Sequence, residues 1–136
     1  FVTATVDGAA FTSILFGTSI ASASRSGSGD MTLIQVLGSN FSADNIALNL
    51  LGITTTGTYT IDPSIDGSVM AFTPGSGGVS YSTGECSGSG GTLIVTAIDN
   101  TKIEGTFSFT GKDVDNCESS ATKTVTNGTF KGVFVN

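Results

Sequence analysis

Apolar and polar residues alternate with a period of two along most of this chain, and this pattern constrains the fold more than any other feature. The segment FVTATVDG places Val2, Ala4 and Val6 on one face and two threonines on the other. The segment KIEGTFSFTG has the same alternation, with two phenylalanines on its apolar face. Because successive side chains of a strand point to opposite faces of a sheet, the alternation predicts half-buried β-strands.

The composition agrees with a β-sheet protein. Only 12% of the residues are charged, 38% are hydrophobic, and threonine and β-branched residues are frequent in the alternating segments. Glycine- and serine-rich stretches separate those segments, as turns do. The length of 136 residues suits one domain with a hydrophobic core. We therefore predict a single all-β domain over residues 1–136, an antiparallel β-sandwich or flattened barrel with Gly/Ser-rich turns and one disulfide.

One stretch, SADNIALNLLG, is compatible with two structures. In the first, Ser42 caps a short helix. In the second, the stretch is a strand in which Ile46, Leu48 and Leu50 point inward. The strand is favoured because the neighbouring segments are all predicted to be β.

The two cysteines, Cys86 and Cys117, flank a predicted hairpin. If Ile98 lies opposite Ile103 in that hairpin, the numbers of opposite residues add up to 201, and the two cysteine numbers add up to 203. Both cysteines then fall at the open end of the hairpin, where their Cα atoms come within the roughly 7 Å that a disulfide needs. We predict this disulfide, which is typical of an oxidising compartment; two free thiols are the alternative.

An acidic loop around Cys117 is a candidate calcium site. Asp113 and Asp115 match the first two ligand positions of an EF-hand loop. Cys117 occupies the third position, and Glu118 stands where the motif requires glycine, so the EF-hand motif fails. An irregular calcium site formed by the three acids stays open as an alternative. The favoured interpretation is a solvated acidic turn.

No enzymatic motif is present, and we predict that the protein is not an enzyme. The chain contains no histidine, which excludes Ser-His-Asp and Cys-His catalysis and the usual zinc sites. The eleven acidic residues lie mainly in predicted turns. Calcium apart, no cofactor is expected.

The charge distribution limits the partners. A net charge of −6 and five scattered cations argue against nucleic acid. No apolar run is long enough to span a bilayer. Tyr59 and Tyr81, the only tyrosines, are candidate ligand contacts, although a place in the core or at its rim explains each as well.

The order of four motifs, ATVDGAAFT, ITTTGTYTI, GTLIVTAIDNTKIEGTFSFTG and VTNGTFKGVF, resembles small secreted or lipid-anchored β-domains of Bacteroidota. The resemblance implies an exported, surface-associated domain of uncharacterised function and supplies no catalytic residues. The sequence begins at Phe1, without the N-terminal cysteine of a lipoprotein. We interpret it as a mature product from which a targeting segment has been removed.

The leading functional hypothesis is a non-enzymatic structural protein, secreted or at the cell surface, that assembles with copies of itself as a filament or coat subunit. The first strand, with Phe1, Val2, Ala4 and Val6, is the candidate for strand exchange, because an unpaired terminal strand can complete the sheet of a neighbour. The alternative is a monomeric cell-surface binding module for a glycan or a partner protein. It predicts a surface that presents the tyrosines or exposed phenylalanines.

Overall fold

A computed structural model describes residues 1–64, 67–77, 79–119 and 121–135. The chain is built from strands, with one short 3-10 helix at Gly29–Met31, so the all-β prediction is confirmed. The strands are β1 (Val2–Val6), β2 (Ala9–Thr12), β3 (Ile14–Leu15), β4 (Thr18–Ser19), β5 (Ala21–Ser26), β6 (Leu33–Ser39), β7 (Asn45–Leu51), β8 (Gly57–Ile61), β9 (Val69–Thr73), β10 (Tyr81–Ser82), β11 (Gly90–Ile98), β12 (Lys102–Asp113) and β13 (Thr122–Val133).

All strands except the β3–β4 hairpin belong to one antiparallel sheet that curls strongly into a half-barrel. Its main path runs β2-β1-β13-β12-β10-β9-β7-β6-β5, and β11 and β8 branch from β12. The long strand β12 makes this branch possible because it pairs with β11 over most of its length and with β10 at its end. The two ends of the main path approach each other near the end of the chain. There the N–H of Val135, just after β13, donates to the carbonyl of Ala23 in β5 at 3.0 Å.

The halves of the curled sheet enclose a single hydrophobic core. Phe11 of β2 and Phe72 of β9 meet across it edge to face, with ring centroids 6.5 Å apart. In β7, Ile46, Leu48 and Leu50 are completely buried and alternate with half-exposed residues. The strand predicted for this stretch is therefore confirmed.

The repeated tripeptide Gly-Thr-Phe has a structural explanation in the β12–β13 ladder. Its two copies lie opposite each other, so that Gly105 faces Phe130 and Phe107 faces Gly128. A Cβ atom on Gly105 would lie 3.0 Å from the Phe130 ring, and one on Gly128 would lie 2.6 Å from the Phe107 ring. The phenyl ring of each phenylalanine thus fills the space left by the glycine opposite it. Packing of an aromatic ring over a glycine on the neighbouring strand is a known way to stabilise glycine-containing strands.

We expect Gly105→Ala to lower the free energy of unfolding by about 1–3 kcal/mol, because the added methyl overpacks a closed site. Its Cβ would overlap the carbonyl oxygen of Ile94 as well as crowd the Phe130 ring. Urea denaturation followed by circular dichroism measures the change. The control is Thr106→Ala on the adjacent, exposed position, for which we expect a loss below about 1 kcal/mol. Equal losses for the two variants would contradict the packing argument.

Near the start of the chain, Ser13 separates β2 from β3. The Ser13 side chain is buried, and its hydroxyl accepts a hydrogen bond of 2.8 Å from the N–H of Val2. The backbone turns there because this serine ties the end of β2 to β1. Downstream, β5 extends into a serine- and glycine-rich stretch as far as Ser26, which pairs with Leu33 of β6.

Candidate functional site

The predicted disulfide is confirmed. Cys86 and Cys117 are bonded, with Cα atoms 5.2 Å apart, and they join the segment before β11 to the loop between β12 and β13. The pair behind the prediction is observed, since Ile98 lies opposite Ile103, but a register shift between Val95 and Ala97 lowers the sum of opposite residue numbers from 201 to 200 on the side of the cysteines. Cys86 is buried and Cys117 is exposed. The bond closes the open end of the hairpin.

The acidic loop beside the disulfide has the local structure of a turn. A carboxylate oxygen of Asp113 accepts a hydrogen bond of 2.9 Å from the N–H of Asp115. The carbonyl of Asp113 accepts a second, of 3.2 Å, from the N–H of Asn116. In the part of the chain that the structure describes, no group of three or more His, Cys, Asp or Glu side chains is placed to hold a metal ion. Calcium binding through Asp113, Asp115 and Glu118 stays a prediction.

The two tyrosines are half-buried rather than presented on one surface. The hydroxyl of Tyr59 donates to the carbonyl of Thr55 at 2.7 Å, and its ring packs against the core. Tyr81 also packs against the core, and the Nζ atom of Lys123 lies 5.7 Å from its ring centroid. Their strands, β8 and β10, are not neighbours in the sheet. The structure therefore does not bring these residues together.

The first strand has an interior place in the sheet. β1 pairs with β13 on one side and with β2 on the other. The side chains of Val2, Ala4 and Val6 are 0%, 7% and 9% exposed. Phe1 is bound as well: its carbonyl accepts a hydrogen bond of 2.9 Å from the N–H of Lys131. Exchange of this strand between copies requires breaking two ladders and exposing the core.

Two other strands lie at sheet edges, and sequence reasoning did not identify them. In the layer ordered β8-β11-β12-β13-β1-β2, β8 and β2 are the outermost strands. Among the described residues, β8 pairs only with β11, and β2 pairs only with β1. Neither contains a charged residue or a proline. Proteins usually protect sheet edges with charges, prolines or bulges, so these two edges are unusually open.

The outer face of the same layer is dominated by threonine, and we call it the threonine layer. One row of outward side chains crosses all of its strands: Thr58, Ile94, Thr106, Thr129, Thr3 and Thr12. A second row contains Thr60, Thr92 and Ser108 and, past a register shift in β13, Thr126, Thr5 and Ala10. Neither row contains a charged residue. The threonines at alternate positions of the sequence were the signal, but their alignment depends on strand order.

A shallow groove of about 520 Å³ lies on this face, over β11, β12 and β13. Its polar side chains are those of Thr92, Thr106, Ser108, Thr126, Asn127 and Thr129. A second hollow of about 200 Å³ shares Ser108 and Thr126 and extends toward Gly90 and Gly91. We call the two hollows together the outer groove. Its lining carries no charge and combines hydroxyl and amide groups with apolar residues such as Ile94 and Phe107.

Three charged residues of this layer form ion pairs beyond the groove. The carboxylate of Glu104 lies 2.9 Å from Nζ of Lys102 and 3.9 Å from Nζ of Lys131. The hydrogen bond from Lys102 holds the pKa of Glu104 below its ordinary value, and the same contact raises the pKa of Lys102. Glu104 is thus engaged in ion pairs, and the pairing leaves the groove itself neutral.

Comparison with known proteins gives a family and no closer relative. A family model for a domain of unknown function matches residues 3–136. Neither the curated proteins nor the solved structures contain a match. In the described part of the chain, no helix has the length and apolar character needed to cross a membrane. The expectation of an uncharacterised family is confirmed.

Proposed function

Taking as premise that the chain belongs to the DUF6252 family, a domain of unknown function, we propose that it is a non-enzymatic extracellular structural domain whose copies assemble edge to edge. The observation that carries the proposal is the pair of unprotected edge strands, β8 and β2, at the two ends of the threonine layer. Edge pairing takes the place of terminal strand exchange because β1 is held inside the sheet.

The strand directions in the threonine layer favour an open assembly. Each strand from β8 to β2 is antiparallel to its neighbour, and five such steps make β2 antiparallel to β8. A second copy, shifted sideways in the same orientation, therefore places its β2 antiparallel to the β8 of the first. Thr58 and Thr12 begin and end the same threonine row, so the row continues across the contact. A head-to-tail contact of this kind propagates into filaments or sheets.

The strength of such a contact is modest. Pairing over these short strands forms roughly four backbone hydrogen bonds, each with a net contribution of about 0.5–1.5 kcal/mol. Association of two proteins costs about 4–15 kcal/mol in lost freedom of motion. These hydrogen bonds contribute about 2–6 kcal/mol together, which offsets at most the lower part of that cost. Edge pairing is therefore expected to be reversible and to need a high local concentration, as among subunits crowded on a surface.

The proposed location outside the cytoplasm is supported by the disulfide. Bonds such as Cys86–Cys117 persist in oxidising compartments and are rare in reducing ones. We also propose that the domain is secreted or displayed at the cell surface, like the β-domains of Bacteroidota that its motifs resemble. A largely uncharged, threonine-rich layer is compatible with close packing between copies.

The test is sedimentation velocity and negative-stain microscopy over a range of concentrations. The unmodified protein is expected to form larger species or ordered fibres as its concentration rises. Thr58→Lys/Thr60→Lys places two lysines on the β8 edge and is expected to keep the protein monomeric. The control, Thr106→Lys/Ser108→Lys, adds the same charge to the inner strand β12 of the same face and should still assemble.

Two results would contradict assembly through edges. The first is a compact monomer at every concentration of the unmodified protein. The second is equal loss of assembly in both lysine variants, which would assign the effect to charge on the face and not to the edge.

A second candidate function, a cell-surface binding module, is favoured by a different observation. The outer groove lies in the middle of the threonine layer, away from both edges. A ligand in the groove and a neighbour at an edge can therefore be present together.

A further inference from the structure

We infer that the outer groove binds a neutral glycan chain. It runs along the outward face of β12, from the Ile94 side to the Gly90 side, and its two hollows share Ser108 and Thr126. An elongated, shallow and uncharged groove with both polar and apolar groups fits an extended chain of sugar units, which present both hydroxyl groups and C–H faces. It does not enclose a compact apolar ligand, which is the usual occupant of a deep pocket.

The polar side chains of the groove are free to bind a ligand. None of the six, Thr92, Thr106, Ser108, Thr126, Asn127 and Thr129, makes a side-chain hydrogen bond to another described residue. Hydroxyls elsewhere in the fold behave differently: Ser89, for example, donates to the carbonyl of Cys86 at 2.6 Å. The groove thus collects hydroxyl and amide groups that can bind a ligand without breaking a side-chain hydrogen bond inside the protein. Each can donate one hydrogen bond and accept others.

A β-bulge places an amide beside these hydroxyls. The β12–β13 register shifts between Phe107 and Phe109, and Asn127 adopts a left-handed backbone conformation with φ of 53°. Asparagine is among the few residues that tolerate this conformation. Bulges redirect side chains at functional surfaces. Here the bulge adds an amide, with two donor hydrogens and a carbonyl acceptor, to the groove lining.

The lining selects the chemical class of the ligand. It contains no charged side chain, and the nearby Glu104 is engaged in ion pairs with Lys102 and Lys131. With a net charge of −6, the protein also repels polyanions. Ile94, which is 40% exposed, offers an apolar contact for the C–H face of a sugar ring.

The experiment is isothermal titration calorimetry with soluble hexasaccharides of glucose, xylose and mannose, and with oligogalacturonate as the anionic comparison. The Thr58→Lys/Thr60→Lys protein is titrated beside the unmodified protein, so that edge assembly and groove binding are measured separately. We expect at least one neutral hexasaccharide to bind both proteins and oligogalacturonate to bind neither. Absence of binding by every neutral hexasaccharide overturns the inference, whatever the assembly state.

Variants then locate the binding site. Asn127→Gly removes the amide and keeps a residue that accepts the left-handed backbone, and we expect about tenfold weaker binding with an unchanged fold. Thr126→Val keeps the shape of the side chain and is expected to weaken binding several-fold. The control Thr12→Val lies on the same face outside the groove and should bind normally. Normal binding by Asn127→Gly, or equal weakening by Thr12→Val, overturns the assignment to the groove.

Discussion

Phe130→Ala is expected to lower the free energy of unfolding by about 3–5 kcal/mol, the range typical of removing a buried phenyl ring. Phe130 is 1% exposed and lies opposite Gly105, whose missing side chain leaves the space for its ring. Its centroid is 6.1 Å from that of Phe107, so both copies of the tripeptide contribute to the contact. Small domains are stable by only about 5–15 kcal/mol. The variant is therefore expected to be close to the limit of folding.

Urea denaturation followed by circular dichroism measures this loss, since the chain has no tryptophan to report fluorescence. Phe16→Ala is the matched control, because Phe16 is 97% exposed at the tip of the β3–β4 hairpin. It should change stability by no more than about 0.5 kcal/mol. If the two phenylalanine variants lose similar stability, the β12–β13 ring packing does not hold the core together.

The disulfide is the second feature with a large expected effect. Cys86→Ala/Cys117→Ala is expected to lower the free energy of unfolding by about 4 kcal/mol, from the entropy of a loop of this size in the unfolded chain. The bond links residues separated by 31 positions. It also joins the β12–β13 loop to the segment that leads into β11. The β11–β12 hairpin is therefore constrained at its open end by the bond as well as at its turn.

Thermal or urea denaturation with and without reductant separates the effect of losing the disulfide from the effect of replacing the cysteine side chains. Reductant should destabilise the unmodified protein toward the level of the double variant, since the exposed Cys117 is open to attack. The double variant itself should not respond to reductant. A reductant-insensitive unmodified protein, with the bond shown by mass spectrometry to be reduced, would contradict the expected role.

Local pattern was sufficient for much of the fold. The β character of the neighbouring segments favoured a strand for β7, and the turn after Ile98 placed that residue opposite Ile103. From that register the bond between Cys86 and Cys117 followed. These predictions succeeded because a hairpin is local: the turn sets the register, and the register places the residues beyond it.

The place of the first strand in the sheet could not be predicted in this way. Val2 pairs with Phe130, and this contact joins distant parts of the chain. Nothing in the alternation of β1 indicates that a partner lies on each of its sides. The burial of the tyrosines could not be predicted for the same reason. Alternation gives the face on which a tyrosine lies, but it does not say whether another part of the sheet packs against that face. Tyr59 and Tyr81 face the core because the opposite half of the sheet covers them.

The sequence by itself determined that the chain forms strands, which residues share a face in each strand, and where the hairpin cysteines meet. All three depend on neighbours along the chain and on the fixed period of a strand. Only the tertiary structure decided that β8 and β2 are the open edges, that threonines from β8 to β2 align in rows, and that Ser108 and Asn127 line one groove. These features depend on strand order. Strand order follows from burying the apolar faces of distant segments in one core, so it depends on contacts along the whole chain and not on local pattern.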